Sequence, residues 1–304
     1  MFYYSPRNDR TIQNMIPSSN ANSSREPQNV TSESINDNPC NNFYDAYSVN
    51  YGLHSGVYPQ YPNFCPVITP EGTIRIHLDH YIQVDITVDK AVRVVNVPGR
   101  CVAAIDHSGD NSCILHPFGN ILQEGIIINV DLWNRIAKFS NRGITFTSLE
   151  HSLVYLVDDS GTKSTVEYFR HLDYDLSSDV FYTNSKCGTE AINSCVLEIK
   201  NSIHQYQTNG DQMWIIADIC IQQNILGDVF VMRDFGRRFI YTSPSLGTLS
   251  MLTPFVYVNV GYNPEEHIFV QKGKKNLRSC IRHFKVRNGT QRAGFDRKGK
   301  LILN

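Results

Sequence analysis

Three times the chain places Asp-x-x-Gly between two apolar runs: Asp106-His107-Ser108-Gly109, Asp158-Asp159-Ser160-Gly161 and Asp296-Arg297-Lys298-Gly299. Cys101-Val102-Ala103-Ala104-Ile105 precedes the first and Cys113-Ile114-Leu115 follows it. Such a tetrapeptide closes a tight antiparallel hairpin. The carboxylate accepts from N–H groups inside the turn, and glycine supplies the positive φ with which the chain re-enters the next strand. The feature therefore demands an antiparallel, mainly β fold. It also makes Asp106, Gly109, Asp158, Gly161, Asp296 and Gly299 structural corners, because a carboxylate committed to its own turn is poorly placed for acid–base work.

The remaining pattern agrees. From residue 67 onward, runs such as Tyr81-Ile-Gln-Val-Asp-Ile-Thr-Val alternate with period two, the signature of strands with one buried face. Strands are expected over 74–78, 81–88, 92–96, 121–130, 143–147, 213–221, 229–233, 238–242, 255–260, 267–271 and 284–286. One helix is expected over 190–207, where Ile192, Cys195, Ile199 and Ile203 recur every three to four residues behind Thr189 as a possible N-cap. Residues 1–66 are rich in Asn, Ser, Pro and Tyr and lack branched aliphatic runs. Such a segment buries too little apolar surface to offset its ordering entropy, so a disordered tail is expected there. Its tyrosines leave self-association possible. The chain then divides into a tail (1–66), a β-meander domain (67–186) and a second β-rich subdomain with one helix and a basic end (187–304). Whether the β region is one composite domain or two packed subdomains stays open.

Composition narrows the chemistry. No apolar stretch approaches the length of a membrane helix and the first residues lack the apolar core of a secretory signal, so no membrane role and a cytoplasmic or nuclear location are expected. Eight cysteines without framework spacing read as reduced thiols. No metal is expected: His77 and His80 would point to opposite faces of one strand, and no Cys-x-x-Cys exists. There is no nucleophile elbow and no phosphate-binding loop, so no cofactor and no catalytic residue are assigned. Cys280, between Arg278 and Arg282, is the one cysteine in an electropositive setting and the candidate nucleophile should the chain be an enzyme.

The strongest remaining signal is charge. The formal net charge is -1, yet residues 271–304 hold eleven Lys/Arg against one acid, so this end carries +10 and the rest -11. Lys272, Lys274, Lys275, Arg278, Arg282, Lys285 and Arg287 are the candidate polyanion-binding set, interleaved with Phe269, Phe284 and Phe295. Lys285 and Arg287 flank Val286 and should share a face, and Lys274, Lys275, Arg278 and Arg282 are expected on a common surface. A solvated edge that blocks sheet-to-sheet aggregation explains the same charges without a ligand.

The stretches Val94-Val-Asn, Gly99-Arg-Cys-Val-Ala-Ala-Ile, His116-Pro-Phe-Gly-Asn, Gly143-Ile-Thr-Phe-Thr and Leu153-Val-Tyr-Leu-Val-Asp-Asp-Ser-Gly-Thr resemble the insect virus-induced protein group. Thr253-Pro-Phe, His267-Ile-Phe-Val and Ala293-Gly-Phe-Asp extend the likeness toward the C-terminus. The resemblance implies an intracellular, non-enzymatic protein tied to antiviral or stress responses, and supplies no catalytic residue. The leading expectation is a non-catalytic binding or scaffold protein with a protein partner, or with nucleic acid or another polyanion. The alternatives are an enzyme with a non-motif site in a cleft between subdomains and a self-assembling structural protein.

Overall fold

Alternating apolar residues build two antiparallel sheets of twelve strands each, every strand pairing with its neighbour in sequence. The structure, a computed structural model, describes residues 65–303 apart from 133, 149–152, 263–264 and 281. The tail expected over 1–66 lies outside the described residues except for its last two. The first sheet comprises β1 (Val67–Ile68), β2 (Ile74–Leu78), β3 (Ile82–Ile86), β4 (Val92–Asn96), β5 (Cys101–Ile105), β6 (Asn111–His116), β7 (Gly119–Glu124), β8 (Ile127–Leu132), β9 (Arg135–Ser140), β10 (Gly143–Ser148), β11 (Val154–Asp158) and β12 (Gly161–Thr165). Two helices follow, α1 (Leu176–Tyr182) and α2 (Ile192–Lys200). The second sheet comprises β13 (Ile203–Tyr206), β14 (Gln212–Ile216), β15 (Ile219–Gln223), β16 (Val229–Arg233), β17 (Arg238–Ser243), β18 (Thr248–Leu252), β19 (Tyr257–Gly261), β20 (His267–Lys272), β21 (Lys275–Cys280), β22 (His283–Asn288), β23 (Gln291–Phe295) and β24 (Leu301–Leu303).

The sheets stack face to face. Strands β4 and β5 lie against β17 and β18, while β10, β11 and β12 lie against β22 and β23. Inward residues of both sheets, among them Ile76, Val84, Val94, Ile221, Val231 and Val258, form one continuous buried cluster. Each fully buried aliphatic side chain there contributes about 1.5–3 kcal/mol of transfer free energy. Polar links cross the same interface: Asn96 Nδ2 donates to Thr242 Oγ1 at 2.7 Å, and Thr253 Oγ1 donates to Gln123 Oε1 at 2.9 Å. The expected boundary at 186/187 falls in the connection between the sheets, and both sheets belong to one compact unit.

Three sequence expectations need correction. The single strands expected over 121–130 and 213–221 are each hairpins. Gly125, at φ +54°, turns the first, and Ala217 and Asp218, at φ +49° and +60°, turn the second. Neither turn carries the Asn-Gly or Asp-Gly signal, and alanine in the left-handed region is uncommon. The helix expected over 190–207 is shorter. Residues 189–191 form a 3-10 turn, the α-helix spans Ile192–Lys200, and Ile203–Tyr206 pairs as a strand with β14, where His204 stacks on Trp214 at 3.6 Å.

The two outer faces differ. Ala104, Cys113 and Leu122 form one row across β5, β6 and β7, and the first two are small enough to admit a helix. Leu176, Val180 and Phe181 of α1 fill that space with Ala91 and Leu172 in a second buried cluster. Asp175 caps α1, its Oδ1 accepting from Ser177 N at 3.0 Å. The incoming chain covers the neighbouring strands through Arg170–Glu124 (2.7 Å) and Lys138–Glu167 (2.9 Å). On the second sheet, among the described residues, no helix is packed in this way.

Candidate binding face

Period-two alternation sorts the basic C-terminal block. In β22, Phe284 and Val286 are buried while Lys285 and Arg287 are exposed. Leu277 of β21 and Ala293 of β23 lie opposite Val286 and are buried with it, which turns Arg278 and Arg292 outward. The register assembles two rows across the outer face. One runs Phe269, Arg278, Lys285, Gly294, Ile302, and the other Gln271, Asn276, Arg287, Arg292.

These rows enclose a groove of about 430 Å³ bordered by Phe269, Arg278, Lys285, Arg287 and Arg292. Its floor exists because position 294 has no side chain; a Cβ there would overlap the Phe284 carbonyl oxygen. The Arg278 guanidinium lies over the Phe269 ring, 5.2 Å from its centroid, and Arg287 Nε donates to Gly289 O at 2.6 Å. Arg278 stands directly across from Lys285, and Arg287 across from Arg292. Like charges directly opposite in a ladder are destabilising. Among the described residues no carboxylate lies within ion-pair distance of these four cations. The face therefore holds uncompensated positive charge beside an aromatic ring, and an anion would relieve it.

The other predicted members sit elsewhere. Lys272 and Lys275 have the parity of the inner face and reach across the rim to the first sheet, donating to the carbonyls of Ile126 and Ser140. Burial lowers both lysine pKa values, for Lys272 with help from Lys275. They fasten the sheets and do not line the groove. Lys274 is exposed in the turn after Gly273. Arg282 lies past the opposite end of β21, 3.8 Å from Glu265. Lys274, Lys275, Arg278 and Arg282 thus do not share a surface: alternation separates Lys275 from Arg278, and the length of β21, about 17–20 Å, separates Lys274 from Arg282.

Cys280 Sγ lies 3.3 Å from His283 Nδ1 and 3.7 Å from Nε2. Two nearly equal distances mean that the sulfur meets the ring broadly, whereas a general base aims one nitrogen at the nucleophile and is oriented by a third group through the other. Burial, then Lys285, lowers the His283 pKa, which disfavours a thiolate–imidazolium pair. Among the described residues no group of three or more His, Cys, Asp or Glu side chains is placed to hold a metal ion, and no helix is long and apolar enough to cross a membrane.

The Asp-x-x-Gly carboxylates are occupied by their turns. Asp106 accepts from Gly109 N and Asn111 Nδ2, Asp158 from Ser160 N (2.9 Å), and Asp296 from Lys298 N (2.8 Å) and Lys300 N (2.9 Å). Gly109, Gly161 and Gly299 have φ of +79°, +135° and +75°.

One important cation escapes motif reading. Arg233 is 4% exposed, and its guanidinium donates to Asp106 O at 2.8 Å, to His107 O at 2.6 Å and to Lys90 O, joining β16 to two turns of the first sheet. Burial, then the neighbouring Arg238, lowers its pKa. The signal was present: Val229, Val231 and position 233 share the core-facing parity, and an arginine there needs buried acceptors.

A family model described as Domain of unknown function (DUF8796) matches residues 65–304. No curated protein matches the chain. Among solved structures, the TCP10 domain of Danio rerio CPAP in complex with a peptide of Danio rerio STIL matches at 9% identity and TM-score 0.27, covering 76% of this chain and 97% of that one. The same domain without the peptide matches at 12% identity and TM-score 0.19, covering 78% and 97%. The G-box domain of the microcephaly protein CPAP matches at 12% identity and TM-score 0.19, covering 70% and 96%. At such TM-scores the likeness carries nothing over to function.

Proposed function

The chain belongs to the family described as Domain of unknown function (DUF8796), and as a member of it we propose that it is a non-catalytic binding module that receives an anionic partner on the outer face of its second sheet. The observation that supports this is the pair of like-charged cross-strand contacts, Arg278 with Lys285 and Arg287 with Arg292, left without a carboxylate beside an open groove. Four exposed cations on one face concentrate anions and make association dependent on ionic strength. An antiviral or stress-linked role, implied by the resemblance to the insect virus-induced group, belongs to the same proposal, and unchanged viral load after loss of the gene would remove it.

The test is binding of fluorescent inorganic polyphosphate to the full chain in low salt. Wild type should bind, and Lys285→Glu with Arg287→Glu, which sets a carboxylate across from Arg278 and another across from Arg292, should abolish binding without lowering the urea midpoint. Absence of binding by wild type, or equal binding by the double variant, overturns the proposal.

A further inference from the structure

The cationic groove is one end of a longer surface. Extending its two rows toward β16 gives Phe230, Tyr241, Ser250, Asn259, Phe269, Arg278, Lys285 in the first and Met232, Phe239, Leu252, Tyr257, Gln271, Asn276, Arg287 in the second. The rings at 230, 239, 241, 257 and 269 are all half-buried and face outward. Phe230 lies 5.0 Å from Phe239, and Tyr257 lies 6.1 Å from Phe269. From β16 to β22 the surface spans about 29 Å at the usual strand spacing. One direction across the strands thus passes from half-buried outward rings, through the amides of Asn259 and Asn276, to uncompensated guanidinium and ammonium groups.

We infer that the anionic partner is single-stranded nucleic acid, laid across the strands of the second sheet with its phosphates on Arg278, Lys285, Arg287 and Arg292 and its bases on the outward rings. The inference rests on the anionic-partner reading above and gives that partner a chemical class. Every base has a π-face that stacks on an aromatic ring, while arginine and lysine neutralise the phosphates. A duplex keeps its bases stacked inside and would leave the rings unused. An acidic peptide fits less well. Backbone N–H and C=O groups of a peptide need partners, and the ladder groups under this face are already engaged by neighbouring strands; peptides add to sheet edges for that reason.

The decisive experiment titrates the full chain with labelled single-stranded RNA and DNA of about 15 nucleotides, within the site sizes that such surfaces use, beside a blunt duplex, polyphosphate and poly-glutamate. Four phosphate contacts on a single strand give a slope of log K against log salt near -2.8, so affinity should fall about 50-fold between 50 and 200 mM salt. Tyr241→Ala and Tyr257→Ala keep all four cations in place. Each should weaken the oligonucleotide about 5- to 150-fold, the range for one lost base stack, and leave polyphosphate affinity unchanged, which reports that the fold and its four cations remain intact. Duplex or poly-glutamate binding as tight as the single strand, or tyrosine variants that weaken no ligand or weaken polyphosphate equally, overturns the inference while the anionic groove stands. Failure of every polyanion to bind sinks both.

Discussion

Replacing Arg233 with methionine removes the guanidinium that joins β16 to the first sheet while keeping an unbranched side chain in the cavity. Three carbonyl oxygens lose the guanidinium: Asp106, in a residue only 3% exposed, which keeps a longer bond from Gly109 N at 3.3 Å, and His107 and Lys90, in half-buried residues. An orphaned buried acceptor costs about 1–3 kcal/mol. Counting all three near the lower end, Asp106 O because Gly109 N still reaches it, gives about 3 kcal/mol. Relief of a desolvated charge, whose cost shows in the lowered pKa, returns about 1 kcal/mol. The net expectation is a loss of about 2 kcal/mol. With a urea m-value of about 2–3 kcal/mol/M for a domain of this size, the unfolding midpoint drops by about 1 M at constant m. Arg233→Lys should recover less than half, since an ammonium lacks the planar fork that reaches both turns. Arg238→Met is the control: its partner Asp234, 3.0 Å away, is exposed, and that pair is worth at most about 1 kcal/mol. A midpoint shift below about 0.3 M for Arg233→Met, or a larger one for Arg238→Met, would refute the role of Arg233 as the inter-sheet fastener.

Other outcomes are equally open to measurement. Phe181→Ala empties the fully buried ring of α1 and should cost about 3–5 kcal/mol in chemical denaturation, whereas a loss under 1 kcal/mol would mean the helix is not held by that cluster. Burial pushes the Cys113 thiol up to about 12 and Cys101 and Cys195 to about 11, so these three should resist alkylation at pH 8 in the native protein and react in urea. Lys163, then the Ser160 hydroxyl and N–H, holds the Asp158 carboxyl far below the usual aspartate range. Its ionised form therefore favours the folded state above the ordinary value of about 3.9, and that contribution is lost only as pH falls toward its own lower value. An NMR titration should find Asp158 ionised at pH 3 and Lys163→Ala should move it upward; a normal titration would contradict the turn geometry.

Most strands were legible because apolar residues alternate along the runs from 67 onward, and the sheet needs nothing more to choose its inner face. The hairpins at Gly125 and Ala217-Asp218 were not, because an apolar run can reverse inside two residues without losing its parity signal. Helix α1 was hidden for a related reason: Leu176, Val180 and Phe181 make too short a stripe to stand out, and its stability comes from the small residues Ala104 and Cys113 far upstream. Of the candidate site, composition located the charge but could not sort it. Only strand register tells that Lys272 and Lys275 fasten the two sheets while Lys285 and Arg287 face the groove, and that Arg292, outside the predicted set, joins them.

The strictly sequential strand order has a kinetic consequence. Within each sheet every ladder joins neighbours in the chain, so hairpins can form and zip independently with little loop entropy to overcome. The bonds between sheets connect residues 126 to 146 positions apart, as from His107 to Arg233 and from Asn96 to Thr242. Closing the two meanders onto each other is therefore the slow, entropy-limited event of folding, and until it occurs both apolar faces are open to association with other chains.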